Sequence, residues 1–352
     1  MDYSPFLNPS NAPKPLALQC RWLFDASLTA TLPNPAQPAL ETFHSGWWVV
    51  TNPNGSCVAH SHPAAPTTPT FWRSTAKLLQ ALPVIEAGLH QQASPAHLAV
   101  ICASHVGSPL HQSLAQWWLT QAQLTPSALS CGAHPPVDTP TRHALIATHQ
   151  APCALHHNCS GKHAGMLAVC QHYGWDIPTY TQPQHPLQQR IMALLTERLG
   201  SSVPLAYGMD GCSVPAFYGS LGQLAQLYAV LSHDPLTQPL LKAIVQAPEA
   251  FGGAQRLDSL LVQLTHGRLI AKVGAAGVFA VMNQQSHQGL ALKLADGHEE
   301  ARNRVLVTLL GHLNWLWPNE MADPLLWPWT QPTELNAAGK PIGEWIIPTN
   351  LT

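Results

Sequence analysis

The sequence predicts an α/β (α+β) fold, strand-forming near both ends of the chain and helical between them, and three observations point there. Residues 41–60, ETFHSGWWVVTNPNGSCVAH, hold two β-rich runs around Asn52-Pro53-Asn54-Gly55, a hairpin signal. Residues 110–130, 185–200, 219–232 and 236–250 have helical character broken by proline or glycine. After Arg268 the period changes again: residues 268–282 read as a strand, a glycine-rich approach and a second strand, and residues 289–297 supply a strand to pair with them. No internal repeat is present, which excludes a solenoid.

Composition narrows the class. A chain of 352 residues can bury a large core, as one domain or two intimately joined ones. Charged residues make up only 10%, yet apolar residues reach 46%, so the low charge does not signal disorder. With 16 Lys and Arg against 18 Asp and Glu there is no basic field for nucleic acid or an anionic membrane, and a small-molecule substrate is expected. The N-terminus lacks a basic segment followed by an apolar run, and no stretch reaches the eighteen or so apolar residues of a membrane helix. A cytoplasmic location is therefore expected. The eight cysteines, at 20, 57, 102, 131, 153, 159, 170 and 212, form no C-x-x-C pair and no zinc-finger spacing. In a reducing compartment they would be buried, reactive or metal-bound.

Taken in order, residues 1–15 read as a loose proline-rich lead, and the prolines of residues 62–70 impose an extended connector. A helix follows over residues 71–86, with Ser74 and Lys77 one turn apart on the same face. The apolar run 98–103 breaks at Ser104 and His105, as a short strand or a buried helix end. Residues 157–167, HNCSGKHAGML, are too polar at their start for core. There Asn158 or Ser160 can cap a helix beginning near Gly161, with Cys159 and Lys162 one turn apart at its N-terminus. An ammonium is unfavourable beside partly positive backbone N–H groups, so Lys162 is expected neutral or paired. Residues 206–215, containing Asp210-Gly211-Cys212, form a tight turn, the kind of place where binding residues concentrate. Residues 298–316 look like a closing helix, whereas residues 314–330 and the tail to Thr352 are irregular.

Chemistry enters through the order of three motifs: Ser74-x-x-Lys77, Ser104 after an apolar run, and Lys272-Val273-Gly274 on a late strand. A serine hydroxyl needs a base, and a lysine three residues on serves if it is neutral. The series parallels S-x-x-K, S-D-N and K-T-G of serine β-lactamases and penicillin-binding proteins, with His105-Val106 in place of Asp-Asn and Val273 in place of a hydroxyl residue. A second serine and lysine would relay protons and raise the local positive potential that keeps Lys77 neutral.

The segments Glu41-Thr-Phe-His44-Ser-Gly46, Arg73-Ser74-x-x-Lys77, Ala103-Ser104-His105, Asn158-Cys159-Ser160-Gly161-Lys162-His163, Asp210-Gly211-Cys212 and Lys272-Val-Gly-Ala-Ala-Gly277 together resemble the asparaginase II family, the thermolabile Rhizobium type. The resemblance spans about residues 40–310 and implies a serine β-lactamase- or glutaminase-like unit over residues 1–352. In it an antiparallel sheet from about 15–90 plus 265–352 is flanked by helices, and a helical region of about 91–264 is inserted. It implies hydrolysis of L-asparagine to L-aspartate and ammonia, with Ser74 as nucleophile, Lys77 as its base, and Ser104 with Lys272 as a second pair. Arg73, His163 and Asp210 match positions that hold substrate; a zinc ion would be held by Cys159, Lys162 and Cys212; and a homodimer is implied. One departure is Ala276, where the family commonly carries an acid. The competing readings are a β-lactam- or other small-amide hydrolase of the same architecture, a Cys159/His163 thiol hydrolase, and a non-enzymatic zinc-binding relative.

Overall fold

A computed structural model describes residues 16–22, 39–200 and 206–347, with residues 16–22 and 39–41 described by backbone alone. Strands β1 (Leu16–Trp22), β2 (Ala39–Thr51) and β3 (Cys57–His60) come first, then a 3-10 turn at Ala65–Thr67 and the short β4 (Pro69–Phe71). A 3-10 turn at Arg73–Ala76 runs into α1 (Lys77–Glu86), followed by α2 (Pro95–Ile101), α3 (Pro109–Gln121), α4 (Thr139–Ala147), α5 (Ser160–Tyr173) and α6 (Pro186–Leu199). The hairpin β5 (Ala206–Met209) and β6 (Pro215–Ser220) precedes α7 (Leu221–Leu231), α8 (Gln238–Gln246), α9 (Pro248–Phe251) and α10 (Leu257–Leu264). A meander of β7 (Leu269–Val273), β8 (Val278–Asn283) and β9 (Gln288–Leu294) leads to α11 (Glu299–His312), and β10 (Thr333–Leu335) and β11 (Pro341–Ile346) follow.

The large sheet is antiparallel, in the order β10-β11-β1-β2-β9-β8-β7, with β3 paired to β2. Its central strands are apolar on both faces and alternate between two cores. Val49, Ile270, Val278, Ala280, Met282 and Ala291 face the inserted helices, while Trp48, Val50, Leu269, Ala271, Phe279, Val281 and Leu292 pack against α10 and α11. A period of two buried on both sides needs a helical layer above and below. Lys272, on the even-numbered face of β7, is thereby carried toward the inserted helices. Helix α7 lies so close to β9 that a Cβ on Gly289 would stand 2.0 Å from the Ala225 carbonyl oxygen.

The expected antiparallel sheet flanked by helices, with a helical stretch between its strands, is present, and no helix among the described residues is long and apolar enough to cross a membrane. Several local expectations are corrected. Residues 62–70 are not wholly extended, because Pro66 sits in the first turn of the 3-10 segment Ala65–Thr67, where its missing N–H is not needed. Of the two readings offered for the run before Ser104, the buried helix end holds and the strand does not: the run closes α2, which is capped by Ser94. The α5 helix starts at Ser160 behind Cys159, without a side-chain cap: Asn158 Oδ1 accepts from Cys159 Sγ and Ser160 Oγ donates to Leu155 O. The turn expected at 206–215 is the tip of a hairpin whose strands join β4 in a second sheet, order β4-β6-β5. The C-terminal tail is not irregular throughout, since β10 and β11 extend the large sheet beyond β1. The lead at residues 1–15 lies outside the described residues.

Candidate active site

Ser74 stands in the 3-10 turn that opens α1, immediately after Arg73, which adopts φ +52°. That left-handed conformation costs a side-chain-bearing residue of order 1–3 kcal/mol and persists only where its surroundings enforce it. Here they do. Trp72 donates its N–H to Phe217 O at 2.9 Å, Arg73 Nε donates to Asp210 Oδ1 at 2.8 Å, and Tyr228 donates its hydroxyl to Thr75 O at 2.8 Å. The end of β7 closes the other side: a Cβ on Gly274 would meet Thr75 Cγ2 and Trp72 O at 3.2 Å, so a larger residue would push the strand off the serine turn. Ser74 itself is half-buried, and its hydroxyl bonds no described residue.

One turn on, Lys77 is 1% exposed. Its Nζ donates to Ala103 O at 2.5 Å, Ser104 Oγ at 2.9 Å and Asn158 O at 3.3 Å, so the residues after α2 and before α5 converge on it. Ser104 is thus joined to Lys77. Lys272, wholly buried, donates instead to Asp258 Oδ2 at 3.0 Å and Val273 O at 3.2 Å. Burial pulls the Lys272 ammonium down to about 8; the Asp258 carboxylate opposes that and the Lys77 charge adds to it.

Cys159, Lys162, His163 and Cys212 form a second buried cluster beside this one. Lys162 Nζ donates to Cys212 Sγ at 3.1 Å. A hydrogen bond from Cys212 holds the Cys159 thiol well below its ordinary value, against the opposing effect of burial. Burial works against the Lys162 charge too, but the Cys212 and Cys159 sulfurs outweigh it and raise its pKa. Lys162 is accordingly paired rather than neutral. His163 Nδ1 lies 2.6 Å from the Tyr180 hydroxyl, which leaves its Nε2 buried and without a partner. Among the described residues no three His, Cys, Asp or Glu side chains group as a metal site, so a metal here depends on Lys162 as a ligand. Cys159, Cys212 and Lys162 offer a donor set that suits zinc, two sulfurs and a nitrogen, once the thiols and the amine give up their protons to the metal.

The chain thus brings the expected residues into three linked groups, Arg73 with Asp210, Lys77 with Ser104, and Lys162 with Cys212, and gives Lys272 a different partner from Ser104. Two participants have a part that the motifs do not assign. Asp258 belongs to α10, a helix too short and flanked too irregularly to stand out by period. His105 accepts from Gly107 N–H on Nδ1 and therefore donates from Nε2 to Ser160 Oγ at 3.0 Å. Its own N–H donates to Asn158 O, the same carbonyl that Lys77 reaches, so His105 does positional work where the motif series has Asp-Asn. Burial, then the charges of His111 and Lys77, hold His105 well below the ordinary imidazole value.

Residues 37–347 match the family described as L-asparaginase II. No curated protein sequence matches the chain. Among solved structures it is similar to a β-lactamase from Mycobacterium bovis, at 13% identity over 81% of this chain and 95% of that one, with a TM-score of 0.37. It is also similar to a D-alanine carboxypeptidase from Burkholderia cenocepacia, at 15% identity over 76% and 93%, with a TM-score of 0.35.

Proposed function

Because the chain belongs to the L-asparaginase II family, we propose that it hydrolyses the side-chain amide of L-asparagine to L-aspartate and ammonia through an acyl-enzyme on Ser74. The observation that carries this is the buried Lys77 amine, one turn after Ser74 and 2.9 Å from a second hydroxyl, Ser104. In its neutral form Lys77 takes the proton as Ser74 Oγ bonds to the amide carbon. The proton then passes through Ser104 to the departing nitrogen, and ammonia leaves. A water activated by the same amine attacks the ester, and aspartate and free Ser74 result. Backbone N–H groups, that of Ser74 among them, stabilise the oxyanion.

Arg73 and Asp210 are assigned to the ends of the amino acid. Only Nε of Arg73 is bonded to Asp210 among the described residues, which leaves its terminal nitrogens for a forked bond to the substrate carboxylate. Asp210 and His163 would face the substrate amine. Zinc bound to Cys159, Lys162 and Cys212 would supply a fixed positive charge for holding substrate oxygen. The working unit is taken to be a homodimer.

The deciding experiment is ammonia release from asparagine and glutamine by the parent, Ser74→Ala and Cys212→Ala proteins. Turnover should vanish in Ser74→Ala, whereas Cys212→Ala should mainly raise KM, separating chemistry from substrate positioning. A Ser74→Ala protein that still releases ammonia from asparagine at the parent rate would end this assignment.

A further inference from the structure

Asp258 has no place in the motifs, yet it is one of the most deeply buried charges in the protein. It and Lys272 are 1% and 0% exposed, and Lys272 Nζ donates to Asp258 Oδ2 at 3.0 Å. A buried ion pair gains little net stability over an apolar pair of similar volume, so a functional reason for it is worth seeking. The Lys272 amine has its carboxylate and Val273 O as acceptors, with the Phe251 ring 5.5 Å below it, and no hydrogen bond to Ser104. Asp258 also borders a cavity: its buried Oδ1 has no hydrogen-bond partner, Arg256 Nε is 4.0 Å away, and the residue lines a cavity of about 190 Å³ whose wall includes the exposed Glu299.

We propose that Asp258 is a positioning residue of the amide hydrolysis: its carboxylate fixes the Lys272 ammonium as a standing positive charge beside the site, leaving Lys77 alone to serve as base. This rests on the Ser74 reading of the function. An amine held as an ammonium by a carboxylate has no lone pair with which to take a proton, so the base for Ser74 is Lys77, and the Lys272 charge instead favours the oxyanion that forms as Ser74 attacks. The charged or titratable groups around the pair are Lys77 from α1, Cys102 behind α2, Tyr228 from α7, Arg256 before α10 and Arg302 from α11. None of these bonds the Lys272 amine, whose titratable partner among the described residues is Asp258.

The test compares parent, Asp258→Asn, Asp258→Glu and Asp258→Ala proteins. Asp258→Asn should lower kcat about tenfold or more with KM little changed, and move the alkaline limb of the pH profile to lower pH, because Lys272 then sheds its proton sooner. Asp258→Glu should recover part of the loss. In Asp258→Ala, formate entering by the cavity should restore turnover where equal chloride does not. The charge on Lys272 can be read without any substrate, by NMR of ε-labelled lysine among the seven lysines of the chain, its signal assigned by its loss in Lys272→Arg. A Lys272 signal that titrates identically in parent and Asp258→Asn, or superimposable pH profiles, would overturn the proposal. A parent protein that releases no ammonia from any amide would instead remove the functional reading, and the NMR comparison alone would then decide the role of Asp258.

Discussion

Ala276 sits at φ +56° in the loop that links β7 to β8. Its carbonyl accepts from Lys293 Nζ at 2.6 Å, and a Cβ on Gly297 would lie 3.2 Å from Ala276 Cα, so two loops are locked together there. An alanine held left-handed is strained, and glycine would relieve it at some entropic cost in the unfolded chain. Ala276→Gly should therefore stabilise the protein by about 0.5–1 kcal/mol, read as a rise in the urea midpoint at constant slope. Arg73 carries the same strain for a different reason, since its conformation delivers Nε to Asp210 and places Ser74 after it. At this scale the motifs named most of the participants, because nucleophile, base and thiols are types that stand out by chemistry. Asp258 did not stand out, because a lone carboxylate in a short helix looks like any solvated side chain until Lys272 is found against it.

Helices and strands were legible where their period was long and clean. The hairpin at Asn52-Gly55 appears as expected, with Gly55 at φ +82° and its N–H on Asn52 O. The three strands of the meander and the helix after them fall within a few residues of their expected bounds. What escaped was mainly short or decided from afar: β10 and β11 have too few residues for a period to show and exist because β1 offers them an edge. Packing between elements also sets limits that no period reveals. A Cβ on Gly289 would lie 2.0 Å from Ala225 O and 2.6 Å from Ala229 N, both backbone atoms of α7, which cannot swing aside. Gly289→Val should separate helix from sheet and cost about 3 kcal/mol, seen as a lower urea midpoint. An unchanged midpoint would mean that α7 can slide on the sheet.

Taken whole, the molecule buries ionisable groups that most proteins leave wet, and its stability should follow pH accordingly. Burial lowers His111 to about 4 and His105 well below 6.5. A histidine depressed in the folded state contributes full stability above the unfolded value near 6.5 and loses it as pH falls toward the folded value. Between those limits the unfolded chain binds more protons, and each such histidine costs about 1.4 kcal/mol per pH unit. Thermal midpoints should drop steeply from pH 6.5 to 4 and hold nearly level from 7 to 8, and His111→Asn should flatten the acid slope. A slope that His111→Asn leaves untouched would place the proton uptake elsewhere.

By itself the sequence determined the fold class, the order of the reactive residues and their chemical types, because periodicity, turn chemistry and the short spacings of Ser74-x-x-Lys77 and Cys159-x-x-Lys162 are local properties of the chain. Only the tertiary structure decided the partners: Ser104 on Lys77, Asp258 on Lys272, Cys212 on Lys162. Those pairings join residues 14 to 50 positions apart, and they form because a buried charge must find its counterpart wherever the packed layers bring one within reach.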